Sequence, residues 1–197
     1  MAKDSIQDIL IKKGRELIWS KGSEFLTARK LSEVSGYSVG SIYNQFGNME
    51  SFILLQNYIT LEELFDFMKK SKPSENPYIT INNYLDAFVT FVLNNKNFWS
   101  LLFNFHIKNS SKNLSRLYLR KTSEILGLIN EPFSKLYPAV QKKDKTVLLN
   151  TLWLSLFALS SFLSSDNSSS LNIKHQKTVC KLLLNTYLAG ILILPEK

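Results

Sequence analysis

Cysteine is almost missing from this chain: Cys180 is the single one in 197 residues. One thiol excludes a disulfide framework within the chain and excludes zinc held by clustered cysteines. Cys180 is expected to be a small packed residue of a helix, and a reducing cytoplasm is the expected compartment. Histidine is as scarce. His106 and His175 lie far apart without clustered carboxylates, so neither a metal site nor another cofactor is expected. Catalytic signals are absent too: there is no glycine-rich phosphate loop, no Ser or Cys paired with His, and no acid pair at a recognisable spacing. No Asn-Gly or Asp-Gly hairpin turn occurs, and no segment alternates with period two, which argues against strands. Lys3, Asp4 and Asp8 precede any apolar run, so a secretory leader is not expected. The nearest approach to a membrane span is Thr146 to Ser165. It has no charge, but its eight Ser, Thr or Asn residues and lack of a polybasic flank argue against insertion.

What is present is helical pattern, and its most specific part runs from Leu26 to Phe52. Thr27 is a good N-cap, followed at helical spacing by Leu31 and Val34, with Gly36 where a short helix must stop. Ser38 can cap a second helix with Ile42 and Phe46 on one face, ended by Gly47-Asn48. Two such helices joined by a turn containing Gly make a helix-turn-helix, whose second helix lies in the DNA major groove. The apolar residues are expected to point inward. That leaves Ser38, Val39, Gly40, Ser41, Tyr43 and Asn44 for solvent or DNA. A preceding helix, about Ser5 to Lys21, has an apolar stripe of Ile6, Ile9, Leu10, Leu17 and Ile18. Gly14 in its middle costs roughly 1 kcal/mol against Ala and predicts a close approach to a neighbouring helix.

These residues resemble the DNA-binding domain of the TetR family of bacterial repressors. The matching positions are Thr27, Leu31-Ser32, Ser35-Gly36-Tyr37-Ser38, Gly40-Ser41-Ile42-Tyr43, Phe46 and Met49-Glu50, with Ile9, Leu17 and Gly22 in the helix before. Specific motifs cover roughly residues 5–55, and the rest agrees in length and helical pattern. Met49 stands where the family has a phosphate-touching Lys, Gln45 replaces an aromatic, and Val39 a commonly polar position. The resemblance implies an all-α fold of about nine helices. A three-helix DNA-binding domain would occupy residues 1–50, and a helical effector-binding and dimerisation domain residues 51–197. Resemblance and exposure together nominate Thr27, Arg29, Ser41 and Asn44 near bases, with Ser38, Tyr43 and Lys30 on phosphates. Gly40 would let the recognition helix approach the duplex.

Beyond the head, one helix is expected from about Asn48 past Phe67, then a linker at residues 69–77, and helices near 78–93 and 97–108. A polar loop at 109–113 precedes a long helix that Pro132 and Pro138 interrupt or end. Two late, largely apolar helices, 146–165 and about 172–194, need more partner surface than one small domain offers. In the resembled family the last two helices form a four-helix dimer interface. Leu152, Leu156, Leu159, Leu183, Tyr187 and Ile191 are the expected contacts, and a two-fold dimer would set two recognition helices ~34–36 Å apart.

Aromatic residues crowd the middle. Stripes of this kind are ordinarily core. The resemblance implies instead that some line a site for a small apolar or amphipathic effector: Phe88, Phe91, Trp99, Phe103, His106, Tyr118, Trp153 and Phe157. Residues 84–103 look like the subgroup with a Trp-His-Gly motif; Trp153 fits it, while Phe157 and Ala158 stand where His and Gly would be. The bases Lys108, Lys112, Arg116, Arg120 and Lys121 are either a solvated face or a source of one partner for an acidic effector.

The formal charge of +8 suits nucleic acid, but it is unevenly placed. Residues 1–55 hold seven Lys or Arg against six acids, so nearly all the excess lies elsewhere. The first expectation is a ligand-responsive homodimer on a double-stranded operator. The alternative is a helix-turn-helix protein with weakened DNA binding that acts mainly through protein partners; Met49 and the near-neutral head favour it.

Overall fold

The structure is a computed structural model and describes residues 5–108, 115–164 and 176–191. Among these there are nine α-helices and no strand: α1 Ile6–Lys21, α2 Ala28–Ser35, α3 Val39–Phe46, α4 Met49–Lys69, α5 Pro77–Asn94, α6 Lys96–Lys108, α7 Arg116–Leu136, α8 Lys142–Ser164 and α9 Gln176–Ile191. A single 3-10 turn, Ser23–Phe25, joins α1 to the chain before α2. The expected loop at 109–113, Lys112, His175 and the start expected for the last helix lie outside the described residues.

By contacts the chain forms two compact units, Met1–Glu62 with Asn95–Leu119, and Glu63–Asn94 with Arg120–Lys197. The core of the first gathers Leu10, Leu17 and Ile18 of α1, Leu26, Leu31 of α2, Ile42 of α3, Phe52 of α4, and Phe98 and Leu101 of α6. α6 thus packs with the helix-turn-helix although it is more than 40 residues away along the chain.

Gly14 lies where α1 crosses α4. A Cβ there would come within 2.7 Å of the Phe52 ring and 2.9 Å of the Gln56 amide, so the glycine is required by the crossing. One turn on, Arg15 lies 4.1 Å over the Phe98 ring and donates from Nη1 to Thr60 Oγ1 at 3.3 Å and to the Gln56 carbonyl at 3.4 Å. One guanidinium therefore ties α1, α4 and α6 together. Gln56 donates to the Ile11 carbonyl at 3.2 Å. Beside it Asn57 is fully buried, and neither its amide nitrogen nor its oxygen has a partner among the described residues.

The second unit is built on long helices. Its buried side chains include Ile81, Leu85, Phe88 and Val92 of α5, Ile125, Ile129 and Phe133 of α7, Leu152, Leu156 and Leu163 of α8, and Leu184 and Leu188 of α9. Tyrosine hydroxyls fasten the helices: Tyr137 donates to the Leu188 carbonyl at 2.6 Å and Tyr187 to the Leu148 carbonyl at 2.8 Å. Pro132 sits inside α7 and does not end it. The helix runs on to Leu136, and Pro138 follows its end. α8 begins at Lys142, four residues before the expected Thr146, because apolar periodicity marks only the part of a helix that meets the core. α8 is the one described helix long and apolar enough to cross a membrane; Leu152, Leu156 and Leu163 on it are buried in this unit.

Candidate nucleic-acid interface

Both helices of the helix-turn-helix are fixed at their first turns by side-chain caps. Thr27 Oγ1 accepts from the Lys30 amide at 3.2 Å, and Ser38 Oγ accepts from the Ser41 amide at 3.1 Å. Such caps are worth about 1 kcal/mol each. Gly36 closes α2 with φ 76°, a left-handed conformation that costs a residue with a Cβ. Ser32 Oγ then donates to the Tyr37 carbonyl at 2.7 Å, which sets the turn between the two helices.

Ile42 is fully buried, and Phe46 meets Phe52 edge-on with ring centroids 4.7 Å apart. That seating turns Gly40, Tyr43, Asn44 and Gln45 outward, with Val39 and Ser41 half-buried at the same face. A Cβ at Gly40 would meet only Ser38 Oγ, at 3.7 Å, so nothing in the chain itself requires a glycine there. Val34 departs from the expectation of inward apolar residues. It is 43% exposed, because α2 has two turns and Leu31 alone fills its contact with the core. Gln45 joins the exposed set and was not among the expected contacts; only its side of α3 marks it.

The cations are less free than the sequence suggests. Lys30 Nζ lies 2.7 Å from Glu33 Oε2, and Arg29 Nε lies 3.4 Å from Glu33 Oε1. The hydrogen bond from Lys30 is the main cause that holds the Glu33 carboxyl below its ordinary value; desolvation opposes it, and the charges of Lys30 and Arg29 add smaller lowering effects. The Arg29 side chain is nonetheless 89% exposed. Surface pairs of this kind are weak and yield readily to a stronger anion such as a phosphate. Met49, which occupies the family's Lys position, packs against the buried core of the head.

The eight residues expected at an effector site fall in both units. In the first, Trp99 and Tyr118 are buried, Phe103 and His106 half-buried, and the Tyr118 hydroxyl lies 2.6 Å from His106 Nε2. Burial lowers the His106 pKa and raises that of Tyr118, so both are neutral near pH 7. In the second, Phe88 and Phe91 are buried, and Trp153 packs against Phe88 at 4.9 Å and Phe157 at 6.4 Å. Of the basic run, Lys121 and Arg120 reach Glu124 at 2.9 and 3.4 Å, and Lys121 also lies 4.8 Å over the Phe65 ring. A cavity of about 290 Å³ in the second unit has another lining: Asn82, Asn83, Leu85, Asp86 and Val89 of α5, Leu156 of α8, and Lys177, Cys180, Lys181 and Leu184 of α9. None of the eight aromatic-site residues lines it.

The expected dimer contacts differ in how far their own chain covers them. Leu152, Leu156 and Ile191 are buried within their own chain, and Leu159, Leu183 and Tyr187 are half-buried. The exposed apolar residues of these helices are Val147, Leu154 and Phe162 on α8 and Leu182 on α9, with Leu154 and Leu182 each 65% exposed. α8 and α9 carry apolar residues on both buried and exposed sides, so apolar periodicity alone does not say which side would meet a second chain.

No protein-family model matches the chain, and no curated protein matches it. Solved structures do. A TetR family transcriptional regulator, PfmR from Thermus thermophilus, matches with a TM-score of 0.65 at 14% identity, over 92% of this chain and 97% of that one. FadR of Thermus thermophilus, a TetR family repressor solved in complex with lauroyl-CoA, matches at 0.62 and 14%, over 97% and 96%. BioQ, solved with its double-stranded DNA operator, matches at 0.66 and 14%, over 95% and 99%. The all-α fold expected from the sequence is therefore present, and it is the fold of TetR family transcriptional regulators.

Proposed function

We propose that this chain is a homodimeric DNA-binding transcriptional regulator of the TetR family, a repressor released from its operator by a small apolar or amphipathic effector. The observation that carries the proposal is the capped pair α2 and α3, with Gly40, Tyr43 and Asn44 exposed on a recognition helix held from behind by Ile42 and Phe46. The operator complex of BioQ supports the DNA reading, and the lauroyl-CoA complex of FadR supports a small-molecule effector. Both come from proteins of the same fold. The protein is not an enzyme on this reading, and it works in the cytoplasm.

In the DNA complex Arg29 leaves Glu33 to read a guanine edge, Thr27, Ser41 and Asn44 lie near bases, and Lys30, Ser38 and Tyr43 hold phosphates. Val39 lies on the same helix face, and the bare surface over Gly40 admits the duplex. The outward apolar face of α8 and α9 supplies the dimer contact. The effector shifts the population toward a conformation with wrongly spaced heads. α4 is the element to transmit this, being one continuous helix with residues in both compact units.

A second reading keeps the helix-turn-helix but gives it protein partners as its main targets. The Glu33 pairing and the packing of Met49 against the core of the head favour it. One titration separates the two: fluorescence anisotropy of duplex from the protein's own upstream region, over a salt series. The repressor reading expects a steep negative salt slope and two related half-sites. Weak binding indifferent to sequence would refute it in favour of the second. Arg29→Ala then assigns the contact. A base reader loses about 1–3 kcal/mol of discrimination at one position, whereas a phosphate contact weakens all sequences alike.

A further inference from the structure

The cavity among α5, α8 and α9 has a divided lining. Its floor is apolar: Leu85 and Val89 of α5, Leu156 of α8, and Cys180 and Leu184 of α9. Its rim is polar, formed by Asn82, Asn83 and Asp86 on one side and by Lys177 and Lys181 on the other. The pattern follows from helical spacing. Positions 177, 180, 181 and 184 share one face of α9, so two lysines one turn apart stand directly above the buried Cys180 and Leu184. Neither lysine has an ion pair or hydrogen bond among the described residues, and Asp86 has none either. Burial pushes the Cys180 thiol up to about 11, which keeps it protonated and makes it one more apolar surface of the floor.

We infer that this cavity is a binding site for a small amphipathic monoanion, a carboxylate with a short alkyl tail. The two ammonium groups outnumber the one carboxylate, so the rim carries a net single positive charge. The head group would lie between Lys177 and Lys181, with the Asn83 amide able to donate to it, and the tail would cover the five floor residues. The volume, about 290 Å³, is at the bottom of the range for small-molecule sites, roughly 300 Å³, so the ligand is small. The site lies wholly within one compact unit and shares no residue with the aromatic set, so it stands whether or not those aromatics bind an effector.

Isothermal titration of the full chain with octanoate tests this, with octan-1-ol as the uncharged control. Saturable binding of one octanoate per chain at roughly millimolar affinity or tighter is expected, with octanol far weaker. Lys177→Gln with Lys181→Gln should weaken octanoate about tenfold. Lys142→Gln with Lys143→Gln makes the same charge change elsewhere and should leave affinity alone. Asp86→Asn removes the competing carboxylate and should tighten binding by about threefold, a direction that loss of folding cannot imitate. The inference is overturned by absence of saturable octanoate binding, by octanol binding as tightly, by unchanged affinity in the 177/181 variant, by equal loss in both lysine doubles, or by weakening in Asp86→Asn.

Discussion

The helix-turn-helix and the α8–α9 pair show opposite relations between sequence and surface. α2 and α3 are eight residues long, each with one fully buried apolar anchor, Leu31 or Ile42. Their caps and glycines fix both ends, so inside and outside are settled almost residue by residue. α8 and α9 are 23 and 16 residues long and hold leucine on nearly every side. Leu152 and Leu154 differ by two positions and face opposite ways, one buried and one 65% exposed. A short amphipathic helix declares its function on its polar face. A long apolar one has two apolar faces, and only packing tells which is spare.

The sharpest way to break the comparison is to remove an anchor of the head. Phe52 is fully buried, touches Phe46 edge-on and closes the α1–α4 crossing at Gly14. Phe52→Ala should cost about 3–5 kcal/mol, read by calorimetric unfolding, with DNA binding lost alongside. The matching change on the other side leaves folding intact and attacks the spare face. Leu154→Arg with Leu182→Arg should give a helical, monomeric chain by sedimentation and lower operator affinity about a hundredfold, since the second half-site is no longer bound intramolecularly. A dimer that survives both charges would place the interface elsewhere.

A smaller effect tests how far Glu33 restrains the head. Glu33→Gln frees Arg29 and Lys30 and removes a negative charge from the surface proposed to meet DNA. Operator affinity should rise about threefold at low salt, and the gain should shrink as salt screens it. An unchanged affinity would mean that the pairing opens at no cost. The smallest effect concerns His106, whose pKa burial lowers. The unfolded chain, titrating near pH 6.5, takes up this proton before the folded one does. Stability therefore falls as pH drops through about 6.5 and stops falling only below the folded value. His106→Gln should flatten that part of a melting-temperature profile; an unaltered slope would assign it to other groups.

The head was legible because caps, turn glycines and apolar anchors are short-range signals: Thr27, Gly36, Ser38 and Ile42 act within one or two turns. Gly14 was legible too, since a helix tolerates such a residue mainly where a neighbour comes close. Val34 misled because the pattern assigns it to the same stripe as Leu31 while the two-turn helix has room for one anchor. The cavity of α5, α8 and α9 was invisible. Lys177 and Lys181 look like an ordinary solvated pair until Asp86, some 90 residues earlier, is brought opposite them. The pairing of Arg29 and Lys30 with Glu33 could have been read from the i,i+4 and i,i+3 spacing; the structure adds that the Arg29 side chain stays exposed while paired.

Asn57 carries a last consequence. In the middle of α4 a leucine would bury its surface at a gain, whereas a buried amide with no hydrogen-bond partner among the described residues is costly to bury. The same residue therefore loses little when the helix lifts from its seat, because water restores what burial removed. α4 is therefore held firmly at Phe52 and weakly at Asn57, and its seat in the first unit is less stable than its buried area suggests.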